Sequence, residues 1–340
     1  MTTNLAAARM IARLNTAYAG ARILHTAVEL DLFSPLEHAP ATLEQICEMH
    51  GLHPRLAADF LGALTGLGLL VREGDGYRCA EGARRYLICG RPGYLGGSVL
   101  QHGRVHYRLW EDLTRALRDG RAASGPDTPA GAAAGQRPDL DRARRFLAHM
   151  DALNAFVAPH LARVLDWSRH TGFLDVGGAR GNVAAELVRA HPHLRGAVFD
   201  VPGVEPLFDE HMEALGTTGR VTFHGGDFHT DDLPPADVLI LGHVLHDWPP
   251  ETRQALIERA YPAVSPGGAL LIYDAMIDDA AHEADAHIRS LICAMIRDGG
   301  SEYTVADCRS WVEKAGFRFD RVVPIDTVAS DRVLVAVKNG

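Results

Sequence analysis

The sequence contains few cysteines and no pattern typical of a membrane or secreted protein. Its five cysteines include no C-x-x-C pair, and an odd, scattered set is typical of reduced thiols in a cytosol. No run of about eighteen apolar residues occurs, so we expect no membrane span. The first residues lack a basic stretch followed by an apolar one, and we therefore expect no signal peptide and a cytoplasmic location.

The chain also lacks an excess of positive charge. Its 34 Lys and Arg residues face 43 Asp and Glu residues, which gives a formal net charge of −9 at pH 7. General affinity for nucleic acid needs a basic surface, so we expect no nucleic-acid partner. The 340 residues are enough for about two domains, each with its own core.

A glycine-rich turn occupies residues 177–181, between the apolar run that starts at Phe173 and the helical pattern of Val183–Ala190. The stretch predicts a strand, a tight loop and a helix. Such a loop brings backbone N–H groups and the positive end of a helix close to a ligand. The dinucleotide pattern G-x-G-x-x-G fails here, because Ala179 and Asn182 stand at its second and third glycines. A glycine-rich turn that binds no cofactor is the alternative at this point.

The C-terminal half contains seven runs that predict strands. They are Phe173–Val176, Ala197–Val201, Val221–His224, Val238–Leu241, Ala269–Asp274, Phe317–Val323 and Arg332–Val337. Helical patterns separate the early strands, and two further helices are predicted at Glu251–Tyr261 and Val305–Ala315. This alternation predicts an α/β fold with a parallel sheet and with ligands at the carboxyl ends of the strands.

Acidic and imidazole side chains stand at several of these carboxyl ends. Asp200 closes the second predicted strand, where an acid can accept hydrogen bonds from a ribose diol. Asp227 follows the third strand, His243 and His246 follow the fourth, and Asp274 closes the fifth. A single acid at a strand end is usually a helix cap. Such groups at four successive ends favour a binding site.

Five motifs in a fixed order give the chain a specific resemblance. From Asp175 the sequence reads D-x-G-x-A-x-G, which resembles the first motif, [DE]-x-G-x-G-x-G, of class I S-adenosylmethionine (SAM) methyltransferases. Gly225–Phe228 resembles G-D-[FM], and Val244–Trp248 resembles [VI]-L-H-D-W. Pro266–Asp274 and Gly299–Thr304 resemble P-G-G-x-[LV]-[LI]-[IV]-x-[ED] and G-G-x-E-[RY]-[TS]. Together they resemble the small-molecule O-methyltransferases of bacterial natural-product pathways and their plant phenolic relatives, over nearly the whole chain.

The resemblance implies a Rossmann-like seven-stranded catalytic domain that binds SAM, releases S-adenosylhomocysteine and needs no metal. The cofactor-binding residues it implies are Asp175, Gly177 and Gly181 in the first motif, Asp200 at the ribose, and Asp227 and Phe228 at the adenine. Ala179 replaces the middle glycine of the family motif. If that position needs a positive φ, the alanine is strained.

Methylation of a phenol needs a base, because a phenol with a pKa of about 10 is mostly protonated at pH 7. Neutral imidazole suits this role. Among eighteen histidines, the resemblance implies His246 as the base, and it implies Asp274 and Glu302 as the acids that flank it. His243 is a rival base, but in an extended segment it would point to the opposite face from His246.

Four residues are candidates for substrate binding, three of them implied by the resemblance and the fourth, Arg297, by its charge at a position where relatives are usually less charged. They are Phe146 and Met150, which line the SAM and substrate pocket, and Met295 and Arg297 on the helix before Gly299. Met295 fits an aromatic acceptor, and we hypothesise that Arg297 pairs with an acceptor carboxylate. Plain core positions for Phe146 and Met150, and a solvated charge for Arg297, are the alternatives.

Residues 1–97 predict a separate winged-helix-like domain. Its signals are the apolar helix Ala21–Leu30, the capping box Thr42–Gln45, the helix Pro54–Leu67 and the hairpin Gly68–Cys79. Residues 1–100 hold nine basic and nine acidic side chains, and the would-be recognition helix carries one cation, Arg55. This balance argues against DNA binding. The resembling family uses such a domain for dimerisation, which implies a homodimer.

Residues 98–167 predict a helical linker that covers the active site, and 168–340 form the catalytic domain. Within the linker we predict a helix at Ser98–Arg118, a flexible loop at 120–138 and long helices over Leu140–Trp167. The predicted function is SAM-dependent methyl transfer to a hydroxyl, in the first place phenolic, of a small natural-product intermediate. The alternatives are C- or N-methylation, SAM-dependent chemistry without methyl transfer, and a SAM-sensing regulator.

Overall fold

The computed structural model describes residues 5–123, 140–277 and 284–340. The chain forms two compact units, Met1–Arg104 and Val105–Gly340. From the sequence we expected the first domain to end at residue 97 and residues 98–167 to form a separate linker. The structure instead groups 105–167 with the sheet, because helix α8 (Leu140–Val164) buries apolar side chains in the same cluster as the strands.

The first unit has the predicted order of three helices followed by a hairpin. Its elements are α1 (Leu5–Glu29), β1 (Ala41–Thr42), α2 (Leu43–His50), α3 (Pro54–Gly66), β2 (Leu70–Glu73), β3 (Gly76–Cys79) and α4 (Glu81–Tyr86). The capping box is present, since Thr42 Oγ1 accepts the Gln45 N–H and the Gln45 side chain accepts the Thr42 N–H. The three strands pair in the order β1-β3-β2.

The helix predicted over Ser98–Arg118 is interrupted. The structure has α5 (Gly96–Gln101), a π-helical turn (His102–His106), α6 (Tyr107–Leu109), a 3-10 turn (Trp110–Asp112) and α7 (Leu113–Asp119). Gly103 sits in the π-helical turn close to His25, where an added Cβ would lie 3.0 Å from the imidazole. The first residues of the predicted flexible loop are docked, because the Ala122 N–H donates to Asp298 Oδ1 at 2.6 Å. The loop from residue 124 onward lies outside the described residues.

The second unit contains all seven predicted strands in one sheet. They are β4 (Gly172–Val176), β5 (Arg195–Asp200), β6 (Val221–Gly225), β7 (Ala236–Gly242), β8 (Val264–Asp274), β9 (Arg318–Pro324) and β10 (Arg332–Val337). The order is β6-β5-β4-β7-β8-β10-β9. Strands β4 to β8 pair in parallel, but β10 runs antiparallel to both β8 and β9. The sheet is therefore not wholly parallel, since a short connection joins β9 to β10 without a crossover helix.

Helices cover both faces of this sheet. They are α8, α9 (Asn182–Ala190) and α10 (Glu205–Leu215) with one apolar cluster, and α11 (Pro250–Ala263) and α13 (Val305–Lys314) with another. Helix α12 (Ala284–Ile296) follows β8. Across the described ranges, no helix is both long and apolar enough to span a membrane. The parallel strands place their carboxyl ends along one edge, where the predicted site residues meet.

Candidate active site

The loop after β4 has the backbone geometry of a ligand cradle. Gly177, Ala179 and Gly181 have φ values of +72°, +53° and +81°. A Cβ on Gly177 would lie 2.7 Å from Val244 Cγ2, so a side chain at this position would clash. Ala179 does adopt a positive φ, and the alanine is therefore strained as the sequence analysis anticipated for such a geometry.

A buried acid, Asp175, and a half-buried acid, Asp200, stand beside this loop. Asp200 Oδ2 accepts the Ala179 N–H at 2.8 Å, and Asp200 Oδ1 accepts the Val201 N–H at 2.7 Å. Burial and the charge of Asp200 raise the pKa of Asp175 to about 7. Burial also raises the pKa of Asp200, although its two backbone hydrogen bonds oppose the rise. The structure thus brings together four of the six predicted cofactor residues, Asp175, Gly177, Gly181 and Asp200.

An ion pair that the sequence analysis missed fastens the loop to α8. Arg180 donates from Nε to Asp151 Oδ2, and the pair is more than four-fifths buried. His211 Nε2 lies 3.8 Å from the same carboxylate. Burial and the charge of Arg180 lower the pKa of His211 to about 4. The arginine within the motif was the one available signal, and nothing in the sequence pointed to its partner on another element.

Asp227 and Phe228 follow β6 at the same edge. Phe228 is half-buried, and its ring lies 3.9 Å from the position that a Cβ on Gly177 would occupy. The Trp248 ring meets it edge-on at 6.1 Å. Asp227 is exposed and accepts the His229 N–H through Oδ1 at 2.9 Å. Phe228 is thus next to the glycine loop, with Asp227 at the solvent side.

His246 lies between the two predicted acids. The imidazole stands on a 3-10 turn (Leu245–Asp247), with Nδ1 3.1 Å from Glu302 Oε1 and 3.0 Å from Asp274 Oδ1. The remaining carboxylate oxygens are also held, since Glu302 Oε2 accepts the Met276 N–H at 3.3 Å and Asp274 Oδ2 accepts the Tyr303 hydroxyl at 2.6 Å. Both acids are almost wholly buried, whereas 18% of the His246 side chain is exposed.

The charges around this group favour the imidazolium. Burial opposes it, but the charges of Asp274 and Glu302 raise the pKa of His246 well above its usual value. Burial raises the pKa of Asp274, and the histidine lowers the pKa of Glu302 despite its burial. Burial raises the pKa of the Cys293 thiol to about 12. Below that pH the thiol is neutral, so the two carboxylates carry the effect on His246.

His243 does not point away from His246, and that expectation is wrong. Its φ of +52° and the 3-10 turn after it replace the extended backbone that the expectation assumed. The two imidazoles stack with centroids 5.8 Å apart and planes 10° apart. His243 Nε2 lies 3.1 Å from Asp331 Oδ1, and this acid also accepts the Thr327 hydroxyl. A second buried histidine–carboxylate pair thus backs the first, and the nearly buried His243 is poorly placed to be the base.

Comparison with known proteins agrees with this geometry. A family model described as an O-methyltransferase domain matches residues 110–318. The N,N-dimethyltransferase OxyT of Streptomyces rimosus is 45% identical over 98% of this chain and 97% of its own. This chain belongs to the O-methyltransferase family. The methyltransferase is also 47% identical to the tetracenomycin polyketide synthesis 8-O-methyl transferase TcmO of Streptomyces glaucescens, over 95% of this chain and 96% of TcmO.

Solved structures agree as well. Human N-acetylserotonin methyltransferase in complex with SAM superposes on this methyltransferase with a TM-score of 0.89 and 25% identity, over 100% of both chains. The enzyme is therefore a SAM-dependent methyltransferase. Its own residues fit that cofactor. A Cβ at Gly177 would clash with Val244 in the positive-φ loop, so the glycine keeps the loop accessible to a ligand, and the acids Asp175 and Asp200 border the loop.

A buried arginine that we did not single out from the sequence supports the turn that carries His246. Arg253 of α11 is 2% exposed. Its guanidinium donates to the carbonyls of Leu245, Trp248 and Ser301 at 2.6–2.9 Å. It therefore joins the turn that carries His246 to the turn that carries Glu302. Periodicity could not reveal it, because an arginine in a helix is usually a surface residue.

The four predicted acceptor residues have different surroundings. Phe146 is 45% exposed on α8 and Met150 is half-buried, so Phe146 is not a plain core residue. Met295 is buried in an apolar cluster that includes Ala116. Arg297 is not a freely solvated charge, because its guanidinium lies 4.2 Å from the Trp248 ring centroid and 4.0 Å from Asp247 Oδ2.

Proposed function

We propose that this methyltransferase transfers a methyl group from SAM to a hydroxyl oxygen, in the first place phenolic, of a small aromatic natural-product intermediate. The observation that carries this proposal is His246, whose Nδ1 contacts two buried carboxylates. SAM supplies a methyl group that is already electrophilic on its sulfonium. The protein has only to orient the acceptor and remove its proton, and we propose that it does so without a metal ion.

His246 acts as the general base. The hydrogen bond from Nδ1 to Glu302 fixes the tautomer and leaves Nε2 to take the acceptor proton. Asp274 and Glu302 then stabilise the imidazolium that forms. A base in this position typically contributes about 10²–10⁴-fold to the rate.

The six residues at the carboxyl ends of β4, β5 and β6 hold the cofactor. Asp175, Gly177 and Gly181 border its methionine end, Asp200 accepts from the ribose, and Asp227 and Phe228 contact the adenine. Asp200 has lone pairs beyond the two backbone hydrogen bonds it accepts. A positively charged ligand beside Asp175 would favour the ionised form of this acid, whose pKa is about 7.

The acceptor belongs to the class of aromatic polyketides and related compounds. The similarity to TcmO, which is named for tetracenomycin polyketide synthesis, supports this class. We propose that Phe146, Met150, Met295 and Arg297 contact the acceptor. The guanidinium of Arg297 stacks on Trp248, and an acceptor carboxylate could bind it without breaking this stacking. The carboxylate would have to replace the 4.0 Å contact between Arg297 and Asp247.

N-methylation is the second candidate, because OxyT is named an N,N-dimethyltransferase and is 45% identical to this chain. A neutral amine attacks a methyl donor with its lone pair and needs no base beforehand. The role of His246 therefore separates the two functions.

The test is His246→Ala, with acceptors sought by screening small phenols and aromatic amines. For a phenolic acceptor we expect kcat to fall by about 10²–10⁴-fold. In calorimetry, the variant should bind S-adenosylhomocysteine with the same affinity as the unchanged enzyme. His38→Ala, at a histidine whose side chain is 85% exposed, is the control and should keep full turnover. Full turnover of His246→Ala on a phenol would overturn the base assignment, and turnover on amines alone would favour N-methylation.

We also propose that the enzyme is a homodimer through its N-terminal unit and works in the cytoplasm. Helix α1 exposes four large apolar side chains whose spacing puts them on one face of the helix; they are Met10, Ile11, Leu14 and Tyr18, each 59–73% exposed. A contiguous apolar surface of this kind is typical of a protein–protein interface. All five cysteines are free thiols, as expected in a reducing compartment.

A further inference from the structure

Cys293 adds a thiol to the group around His246. It lies on α12, its residue is 9% exposed, and the proposed methyl transfer gives it no role. Its Sγ, a ring nitrogen of His246 and a carboxylate oxygen of Glu302 lie within 4.8 Å of one another. These three side chains are called the thiol–imidazole–carboxylate cluster below.

The cluster has the ligands of a zinc site. Zn²⁺ binds thiolate sulfur at about 2.3 Å and imidazole nitrogen at about 2.0 Å, and many of its sites use three protein ligands with a fourth position open. Tetrahedral ligands at those lengths stand about 3.5 Å apart, so each side chain would have to move by less than about 1 Å. Mg²⁺ and Ca²⁺ prefer oxygen ligands and are poorly matched to a thiol.

A second observation supports a cation at this position. Asp274 Oδ1 is fully buried 3.0 Å from His246 Nδ1, yet it has no hydrogen-bond partner of good geometry among the described residues. One N–H cannot point at two carboxylates, and here it points at Glu302. An unpaired buried carboxylate oxygen is costly, and a nearby positive charge lowers that cost.

We propose that Zn²⁺ binds His246, Cys293 and Glu302 and inhibits the enzyme. On binding, the Cys293 thiol releases its proton to solvent as the zinc–sulfur bond forms, and His246 supplies a lone pair. If the metal binds Nε2, the lone pair that would accept the proton of the acceptor is occupied. If it takes Nδ1, the ring proton resides on Nε2 and blocks proton uptake there. The inhibition, but not the binding, rests on the proposed function of His246.

Cobalt reports the binding directly. The full-length protein is freed of metal with a chelator and titrated with Co²⁺, which can replace Zn²⁺ at its sites. A cobalt–thiolate bond gives a charge-transfer band in the near ultraviolet. We expect this band in the unchanged protein, its loss on addition of Zn²⁺, and its absence from Cys293→Ser. Cys308→Ser is the matched control, because Cys308 is a fully buried cysteine of the same unit outside the cluster, and it should keep the band. No band in the unchanged protein overturns the site.

Initial rates test the inhibition. We expect Zn²⁺ to lower the rate reversibly, with recovery on chelation and no effect of Mg²⁺. Cys293→Ser should need at least about tenfold more Zn²⁺ for half-inhibition, relative to its own metal-free rate. Calorimetry with S-adenosylhomocysteine verifies that the variant is folded. Equal zinc sensitivity of Cys293→Ser and Cys308→Ser overturns the proposal. A cobalt band without inhibition would show that the metal binds but does not inhibit. If His246→Ala also kept full turnover, the error would lie in the proposed role of His246 as the base.

Discussion

At the scale of single residues, two carboxylates share one imidazole in this methyltransferase. Asp274 and Glu302 both lie within 3.1 Å of His246 Nδ1, so together they supply more negative charge than one imidazolium neutralises. The pair suits a base that must hold a proton once it has taken it. It also keeps His246 of the free enzyme protonated to a higher pH than an ordinary histidine.

Glu302→Gln should move the pH profile of the reaction. In the unchanged enzyme kcat/KM rises with pH as His246 loses its proton, and that rise lies above the usual histidine range because the pKa of His246 is raised. Glutamine removes one negative charge, so the imidazolium is less stable, its pKa falls and the rise moves to lower pH. The maximal rate falls, because the imidazolium formed during catalysis is also less stable.

The measurement is kcat/KM against pH with the Glu313→Gln variant alongside. Glu313 is an exposed acid of α13 outside the site, and its variant should keep the original profile. A profile that stays in place in Glu302→Gln, or moves to higher pH, contradicts this charge-pair interpretation.

At the scale of elements, the glycine loop and the turn of His246 depend on different kinds of support. The loop depends on backbone conformation, with Ala179 strained at φ +53° and its N–H held by Asp200. The His246 turn depends on the buried guanidinium of Arg253. Each kind of support responds to a different substitution.

Ala179→Gly should not destabilise the protein. Relief of a positive φ is worth about 1 kcal/mol, which offsets the loss of the methyl contacts to the cluster around Leu147. The same change at Ala255, an exposed position within α11, should lower the free energy of unfolding by about 1 kcal/mol. Denaturant unfolding of both variants checks this contrast, and an equal loss in both would argue against strain at Ala179.

Arg253→Met should cost stability and activity together. It leaves the carbonyls of Trp248 and Ser301 without the guanidinium donor, at about 1–3 kcal/mol each, whereas the Leu245 carbonyl still accepts the Trp248 N–H. We therefore expect a loss of at least about 2 kcal/mol. The kcat should fall, since the turn of His246 is freed, while S-adenosylhomocysteine still binds. Arg309→Met removes an exposed arginine of α13 and should change the free energy of unfolding by less than about 0.5 kcal/mol. Comparable losses in the two variants would refute a special role for Arg253.

Periodicity and motif order were enough to predict the strands, the capping box and the two acids that contact His246. They could not predict contacts between distant parts of the chain, because those depend on how elements pack. Arg180 with Asp151, and His243 with Asp331, are pairs of this kind. The stacking of His243 on His246 also depends on the positive φ of His243, which could not be predicted from the residue type at that position.

At the scale of the whole molecule, we expect the exposed apolar face of α1 to form the dimer interface proposed above. We expect light scattering to give twice the chain mass of 36.8 kDa. The double change Ile11→Glu and Leu14→Glu puts charge on this face and should yield the monomer mass. Val328→Glu, at an exposed valine of the catalytic unit, is the control and should remain a dimer. A monomer in the unchanged protein, or a dimer in the double variant, would exclude α1 as the interface.

The position of β10 has a consequence for biosynthesis. This strand, the seventh of the sheet in chain order, lies between β8 and β9, and Asp331 just before it pairs with His243 behind the proposed base His246. A ribosome delivers a chain from its N-terminus, so β9 can reach its place in the sheet only after β10 has emerged to separate it from β8. The nascent chain therefore carries the residues of the proposed SAM loop long before Asp331 can support His246 through His243, and we expect methyl transfer only after β10 (Arg332–Val337) has been made.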